Sequence, residues 1–128
     1  MFYGESFASI MNAGNRLMVI VEDEVDLRQL VAGFFRKRGW TVHEYGTVME
    51  GIDGVFEHEP QVLFLDNNLP DGMGWDAAPQ LARSFPKMII HLISGYHPSP
   101  PEMPSDSYFQ VLEKPFSLAQ FDRLYVGS

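Results

Sequence analysis

The chain of 128 residues contains no cysteine. That excludes disulfides, thiolate catalysis and cysteine-based zinc sites. It fits a cytoplasmic protein, although many exported proteins also lack cysteine. Basic residues are scarce: 9 Lys and Arg stand against 17 Asp and Glu, a formal net charge of −8. Nucleic-acid binding draws its affinity from Lys and Arg that neutralise phosphates, so no direct nucleic acid binding is expected. No apolar run reaches transmembrane length, and residues 1–15 lack the basic start and apolar core of a signal peptide. No membrane contact is expected. A Gly-rich P-loop is also missing, which argues against nucleotide hydrolysis. Hydrophobic residues nevertheless make up 45%, enough for one packed domain rather than a disordered chain.

Five apolar runs alternate with helical patterns, the mark of an α/β fold with a parallel sheet. The first strand is Leu17 to Val21. Leu27, Leu30, Val31 and Phe34 then recur at helical spacing, and Arg36, Lys37, Arg38 and Gly39 close that helix. Thr41 to Tyr45 forms a second strand. Thr47 and Glu50 have capping-box spacing, with Met49, Ile52, Val55 and Phe56 as the inner face of a second helix. Gly51 and Gly54 weaken that helix. Val62 to Asp66 is the third strand. Trp75, Ala78, Leu81, Ala82 and Phe85 fit a third helix with Pro79 near its start. Met88 to Ile93 is the fourth strand, and about Phe109 to Glu113 the fifth. Ser117 and Gln120 suggest a capping box for a short last helix with Leu118, Phe121 and Leu124 inward.

Between Gly95 and Ser107 stand Pro98, Pro100, Pro101 and Pro104. Each interior proline deletes a backbone donor and clashes with the preceding turn, so this segment is expected to be a loop with at most one helical turn. Residues 1–15 form an N-terminal extension, disordered or a short helix, with a weak apolar stripe of Tyr3, Phe7, Ile10 and Met11. Residues 16–128 make the domain. His43, His58, His91 and His97 have no metal-ligand spacing, and His91 is expected to be partly buried.

The chemistry gathers at strand ends. The first strand runs into Glu22, Asp23 and Glu24, the third ends in Asp66, the fourth in Ser94, and Lys114 closes the fifth. In a parallel sheet these ends share one edge, where ligands sit. Each feature has an ordinary explanation: Asp66 as a turn former, the acidic trio as favouring a helix start, Ser94 as a turn residue. All four in succession are a less probable accident. Converging carboxylates repel, and a hard cation such as Mg²⁺ relieves them with oxygen ligands. A phosphoryl group on Asp66 could share that cation with Asp23, while Lys114 and Ser94 meet its oxygens.

Val-Ile-Val-Glu-Asp-Glu at 19–24, Leu-Asp-Asn-Asn-Leu-Pro-Asp-Gly at 65–72, Ile-Ser-Gly at 93–95 and Glu-Lys-Pro-Phe at 113–116 together resemble the receiver domains of bacterial two-component response regulators. The resemblance implies a flavodoxin-like, doubly wound five-stranded parallel sheet of order 2-1-3-4-5, here with the fourth helix lost or much shortened. It implies Asp66 as phosphoacceptor, with Mg²⁺ held by Asp23, Asp66, the Asn68 backbone carbonyl and, through water, Glu22. Ser94 would contact the phosphoryl group, Lys114 would pair with it, and the Lys114–Pro115 bond would be cis. The donor would be a sensor histidine kinase, a histidine phosphotransfer protein or a small phosphodonor. The output would be a downstream protein target or an effector domain outside this chain. Such a domain is a signalling switch rather than an enzyme, catalysing only its own phosphoryl transfer and autodephosphorylation.

Three departures stand out. Val111 occupies the place of the family's switch aromatic, three residues before Lys114. The prolines stand where relatives have a helix used for dimer and output contacts. Tyr96, two residues after Ser94, could shield an acyl phosphate. A second reading is therefore a phosphorylation-independent pseudo-receiver acting as an interaction module. A third, an aspartate-nucleophile phosphatase, needs an acid two residues after the nucleophile, and Asn68 cannot serve.

Overall fold

The computed structural model describes residues 14–96 and 99–125. Expectations for the N-terminal extension, for His97 and for the Leu124 side chain lie outside what is described. Five strands form one parallel sheet: β1 (Leu17–Val21), β2 (Thr41–Tyr45), β3 (Val62–Asp66), β4 (Ile89–Ser94) and β5 (Tyr108–Glu113). Their spatial order is β2-β1-β3-β4-β5, the flavodoxin-like order. The helices are α1 (Val25–Arg36), α2 (Val48–His58), α3 (Ala78–Ser84, entered through a 3₁₀ turn at Gly74–Ala77) and α4 (Gln120–Tyr125).

β3 is paired on both sides, with β1 through Met18–Val62 to Val21–Leu65 and with β4 through Val62–Ile89 to Asp66–Ile93. A strand with two neighbours and a helix layer on each face has no polar side, which is why Val62-Leu63-Phe64-Leu65 is apolar throughout. All five β3 residues are buried. Residues of alternate parity feed two cores. Met18, Ile20, Phe64, Ile89 and Ile93 meet Val31 and Phe35 of α1 and Phe121 and Tyr125 of α4. Val19, Val21, Leu63, Leu65, Ile90 and Leu92 meet Val55 of α2 and Leu81 and Ala82 of α3.

The helix faces differ in part from the periodicity. In α1, Val31, Ala32 and Phe35 are buried, whereas Leu30 is 61% exposed. In α2, Met49 is 70% and Phe56 47% exposed, and the inner face is Gly51, Gly54 and Val55. The two glycines are there for close approach. A Cβ on Gly51 would stand 2.5 Å from Val21, and one on Gly54 2.3 Å from the Tyr45 ring. Their cost in helix propensity is offset by seating α2 directly on β1 and β2. Thr47 caps α2 by accepting from the Glu50 amide, as expected. At α4 the Ser117 hydroxyl instead accepts from Ala119, and the helix starts only at Gln120. Tyr108 extends β5 by one residue and packs on the first core, while Phe109 packs on the second.

Among the described residues, no helix stands between β4 and β5, in agreement with the prolines. Met103 of that loop packs against the second core, as do Phe109 and Val111 of β5. The Lys114–Pro115 peptide is cis. No helix among the described residues is long and apolar enough to cross a membrane.

His91 is the surprise of the core. It is fully buried, not partly, between the Phe64 and Phe121 rings, and its Nε2 lies 2.7 Å from the Tyr125 hydroxyl. Burial pushes its imidazole down from 6.5 to about 3. The folded state therefore holds this ring neutral while the unfolded state takes up a proton below 6.5. Stability from the neutral ring is complete above that value and drains as pH falls towards 3. Between about pH 7.5 and pH 5 the loss from His91 is about 2 kcal/mol. Urea unfolding at both pH values checks this: His91→Gln should lose about that much less on acidification than wild type.

Candidate functional site

The acidic turn after β1 is built by backbone bonds. The Glu22 amide donates to Tyr45 O at 2.9 Å, carrying the β1–β2 ladder one residue beyond the strand. The Glu22 carboxylate folds back so that Oε2 accepts from the Glu24 amide at 2.9 Å. Asp66 ends β3 with Oδ2 accepting from the Asn68 amide at 3.2 Å. The loop after it is tied underneath: Asn67 donates to Ile93 O, Gly74 donates to Asn67 O, and Trp75 donates its backbone N–H to Asn67 Oδ1 and its indole N–H to Leu65 O. That fold-back requires glycine at 74, because a Cβ there would stand 2.2 Å from Asp66 O. A two-residue antiparallel ladder, Asn68–Leu69 with Gly72–Met73, closes the loop.

Lys114 joins the strand ends. Its amide donates to Ser94 O at 2.8 Å, tying β5 to β4. Its Nζ lies 2.9 Å from Glu22 Oε1 and 3.2 Å from Asp66 Oδ1, with Glu24 Oε1 at 3.8 Å. The Glu22 and Asp66 carboxylates are 0% and 2% exposed. Burial pushes both carboxyls up from their ordinary values, against the lowering effect of the hydrogen bonds each accepts and of Lys114. Burial also pulls on the Lys114 ammonium, but the hydrogen bond to Glu22 and the charge of Asp66 outweigh it and hold the ammonium above its usual value.

Asp23 is exposed at the same edge, and one oxygen each of Glu22, Asp23 and Asp66 lie within 4.8 Å of one another. A cleft of about 700 Å³ opens there, lined among others by Asp23, Asp66, Asn68, Ser94, Tyr96 and Lys114. The structure thus brings every strand-end residue singled out above to one place. Four carboxylates, those of Glu22, Asp23, Glu24 and Asp66, line the cleft with one ammonium, so it keeps an excess of negative charge. Among the described residues, Glu22 Oε1 and Asp66 Oδ1 are buried with no partner other than that ammonium. An all-oxygen donor set with spare lone pairs fits a hard divalent cation.

Ser94 lines the same cleft, but its hydroxyl is engaged by the turn that follows it. Its hydroxyl accepts from the Tyr96 amide at 3.3 Å and lies 3.2 Å from Tyr96 O. Tyr96 itself is 85% exposed at the rim. Sequence reasoning placed Trp75 on the third helix, whereas it stands in the 3₁₀ turn before it, and passed over Gly74. No local pattern could have found Gly74, because the approach it allows is to a backbone oxygen eight residues earlier.

The family model for the response regulator receiver domain matches residues 18–124. The chain belongs to this family. It is 30% identical over 112 residues to the sensor kinase CckA of Brucella abortus (strain 2308), an alignment covering 84% of this chain and 12% of that kinase. It is 29% identical over 80 residues to nodulation protein W of Bradyrhizobium diazoefficiens, covering 62% of this chain and 35% of that protein. The chain therefore spans well under half the length of these relatives. Two solved structures share its fold. The receiver domain of NtrX from Brucella abortus is 22% identical with a TM-score of 0.65, covering 87% of this chain and 99% of that one. A CheY-like receiver domain from Methylobacillus flagellatus is 21% identical with a TM-score of 0.69, covering 84% and 93%. This receiver domain is a signalling module of two-component systems.

The geometry makes Lys114 the counter-charge of two buried acids. Replacing it with Met should destabilise the metal-free protein by about 2 kcal/mol, less than for a fully dry pair because the lysine is partly exposed. In a Glu22→Gln background the same replacement should cost about half as much. Equal costs in a double-mutant unfolding cycle would remove Lys114 from that role.

Proposed function

We propose that this receiver is a phosphoacceptor switch of a two-component phosphorelay, phosphorylated on Asp66. One observation carries the reading: a buried carboxylate at a strand end, with a lysine ammonium 3.2 Å away and two further acids beside it. Asp23, Asp66 and the Asn68 backbone carbonyl would ligate Mg²⁺, with Glu22 acting through water. When bound, the metal neutralises charge on the carboxylates and on the incoming phosphoryl group.

The remaining chemistry belongs to the protein. An Asp66 oxygen attacks phosphorus, the phosphorus–nitrogen bond of a donor phosphohistidine breaks, and the imidazole leaves with the bonding pair. Little beyond alignment and charge neutralisation is asked of the surroundings. Lys114 Nζ stays near the reacting carboxylate and pairs with a phosphoryl oxygen. The Ser94 hydroxyl turns from Tyr96 to donate to another. That exchange breaks the short Ser94–Tyr96 turn and transmits occupancy to the proline-rich loop, a two-state shift biased by charge. With Val111 in place of a switch aromatic, the loop rather than a swinging ring carries the signal.

The donor is a sensor histidine kinase or a histidine phosphotransfer protein, and the reader is a downstream protein or an effector domain, in the cytoplasm. Autodephosphorylation resets the switch. The second reading, a pseudo-receiver that works without phosphate, draws on Val111 and on the absent helix between β4 and β5.

Incubation with Mg²⁺ and acetyl phosphate should add one phosphoryl mass, labile to hydroxylamine as an acyl phosphate is. Asp66→Asn should carry none, and Asp23→Asn should be slower by about tenfold or more at equal Mg²⁺. An adduct that persists in Asp66→Ala refutes the acceptor. A wild type that takes no phosphoryl group and binds no Mg²⁺ is the pseudo-receiver.

A further inference from the structure

Glu22 is gripped on two sides. Lys114, just after β5, reaches its carboxylate, and a second, unrelated set of groups reaches its backbone from α1 and β2. Arg28, one turn into α1, donates Nη1–H to Glu22 O at 2.9 Å and Nε–H to Glu44 Oε1 at 3.2 Å. The other Glu44 oxygen accepts from Arg36 Nη1 at 2.9 Å, and Arg36 Nη2 donates to Val42 O at 2.7 Å. A chain of bonds thus runs Val42 O, Arg36, Glu44, Arg28, Glu22 O. Both Arg28 and Glu44 are about four-fifths covered.

As a source of stability this pair would contribute little, since partly exposed ion pairs are weak. Its geometry says more. The peptide between Glu22 and Asp23 links the two acids, so its orientation sets the directions in which their side chains leave the backbone. The Glu22 N–H is fixed by Tyr45 O, its carbonyl by Arg28, and its carboxylate by the Glu24 amide. Without Arg28, that peptide is free to rotate about the bonds on either side. The task also calls for arginine. One planar guanidinium presents two N–H groups in fixed directions, one to a carbonyl and one to a carboxylate, and a lysine ammonium cannot hold that angle.

We propose that Arg28 and Glu44 are positioning residues for the acidic site: they lock the Glu22–Asp23 peptide and so set the two acids for a divalent cation. The proposal rests on reading Glu22, Asp23 and Asp66 as a cation site. Neither residue touches the cation or the phosphoryl group. Groups that orient ligands in this way typically change metal affinity by about 10- to 100-fold when removed.

The test uses the full chain and Mg²⁺ alone, by calorimetric titration, on wild type, Arg28→Lys, Glu44→Gln and the double variant. A second arm reads hydrogen exchange of the Glu24 amide in metal-free protein, with the Leu63 and Phe64 amides of β3 as an internal check on folding. Each single variant should raise the Mg²⁺ Kd about tenfold, and the double variant should add little, because both act through one chain. The Glu24 amide should exchange faster in all three while the β3 amides stay as in wild type. Affinities within about twofold of wild type overturn the proposal. A weaker Mg²⁺ affinity with an unchanged Glu24 amide overturns it too, since altered charge then suffices. A wild type that binds no Mg²⁺ defeats the cation reading instead. The exchange arm then decides the lock alone: faster Glu24 exchange upholds it, and unchanged exchange defeats it.

Discussion

Two buried carboxylates from different strands share one ammonium. Glu22 follows β1, Asp66 ends β3, and Lys114 follows β5, with β4 lying between the last two. The side chain of Lys114 therefore spans the carboxyl edge of the sheet from its outer strand to its centre. Without it, two acids in a nearly dry site would have to take up protons or stay far apart. With it they remain close, and Asp23 can be added beside them. The excess negative charge that results gives the cleft an oxygen donor set of the kind that suits a hard cation.

That edge is level because the strands beneath it are in register. The β1–β3 and β3–β4 pairings bring Val21, Leu65 and Leu92 side by side, so the next residues emerge together. Helix packing keeps the register. Gly51 and Gly54 let α2 rest on Val21 and Tyr45, and Gly74 lets the loop after β3 fold back onto Asp66 O. At each place a side chain is absent so that backbone can approach, and at each the residue approached is the last of its strand.

Much of this was legible locally. The five apolar runs, the fully apolar β3 and the prolines against a helix before β5 all follow from rules with a range of a few residues. What was not legible has one cause, the reach of tertiary packing. Leu30, Met49 and Phe56 have helical spacing, but a short helix on a sheet buries only a narrow stripe, and glycines rather than large residues occupy that stripe in α2. His91 has even strand parity with Ile89 and Ile93, which places it in the core, yet nothing nearby announces Tyr125, 34 residues on, as its partner. Arg28 was invisible for the same reason: its partners are a carbonyl and a glutamate on β2.

The amino-acid sequence by itself determined the class of fold and the set of polar residues at strand ends, because apolar runs, turn residues and proline act over short range. Together with the family motifs it also pointed to the sheet order. The tertiary structure decided which of those residues touch. Only folding shows that Lys114 holds Glu22 and Asp66 at once, that Ser94 is turned to Tyr96, and that Arg28 grips the Glu22 carbonyl. The Lys114 bonds join groups far apart in the chain. The Ser94 and Arg28 bonds span only a few residues, but their geometry is set by how turn and helix seat on the sheet rather than by any local propensity.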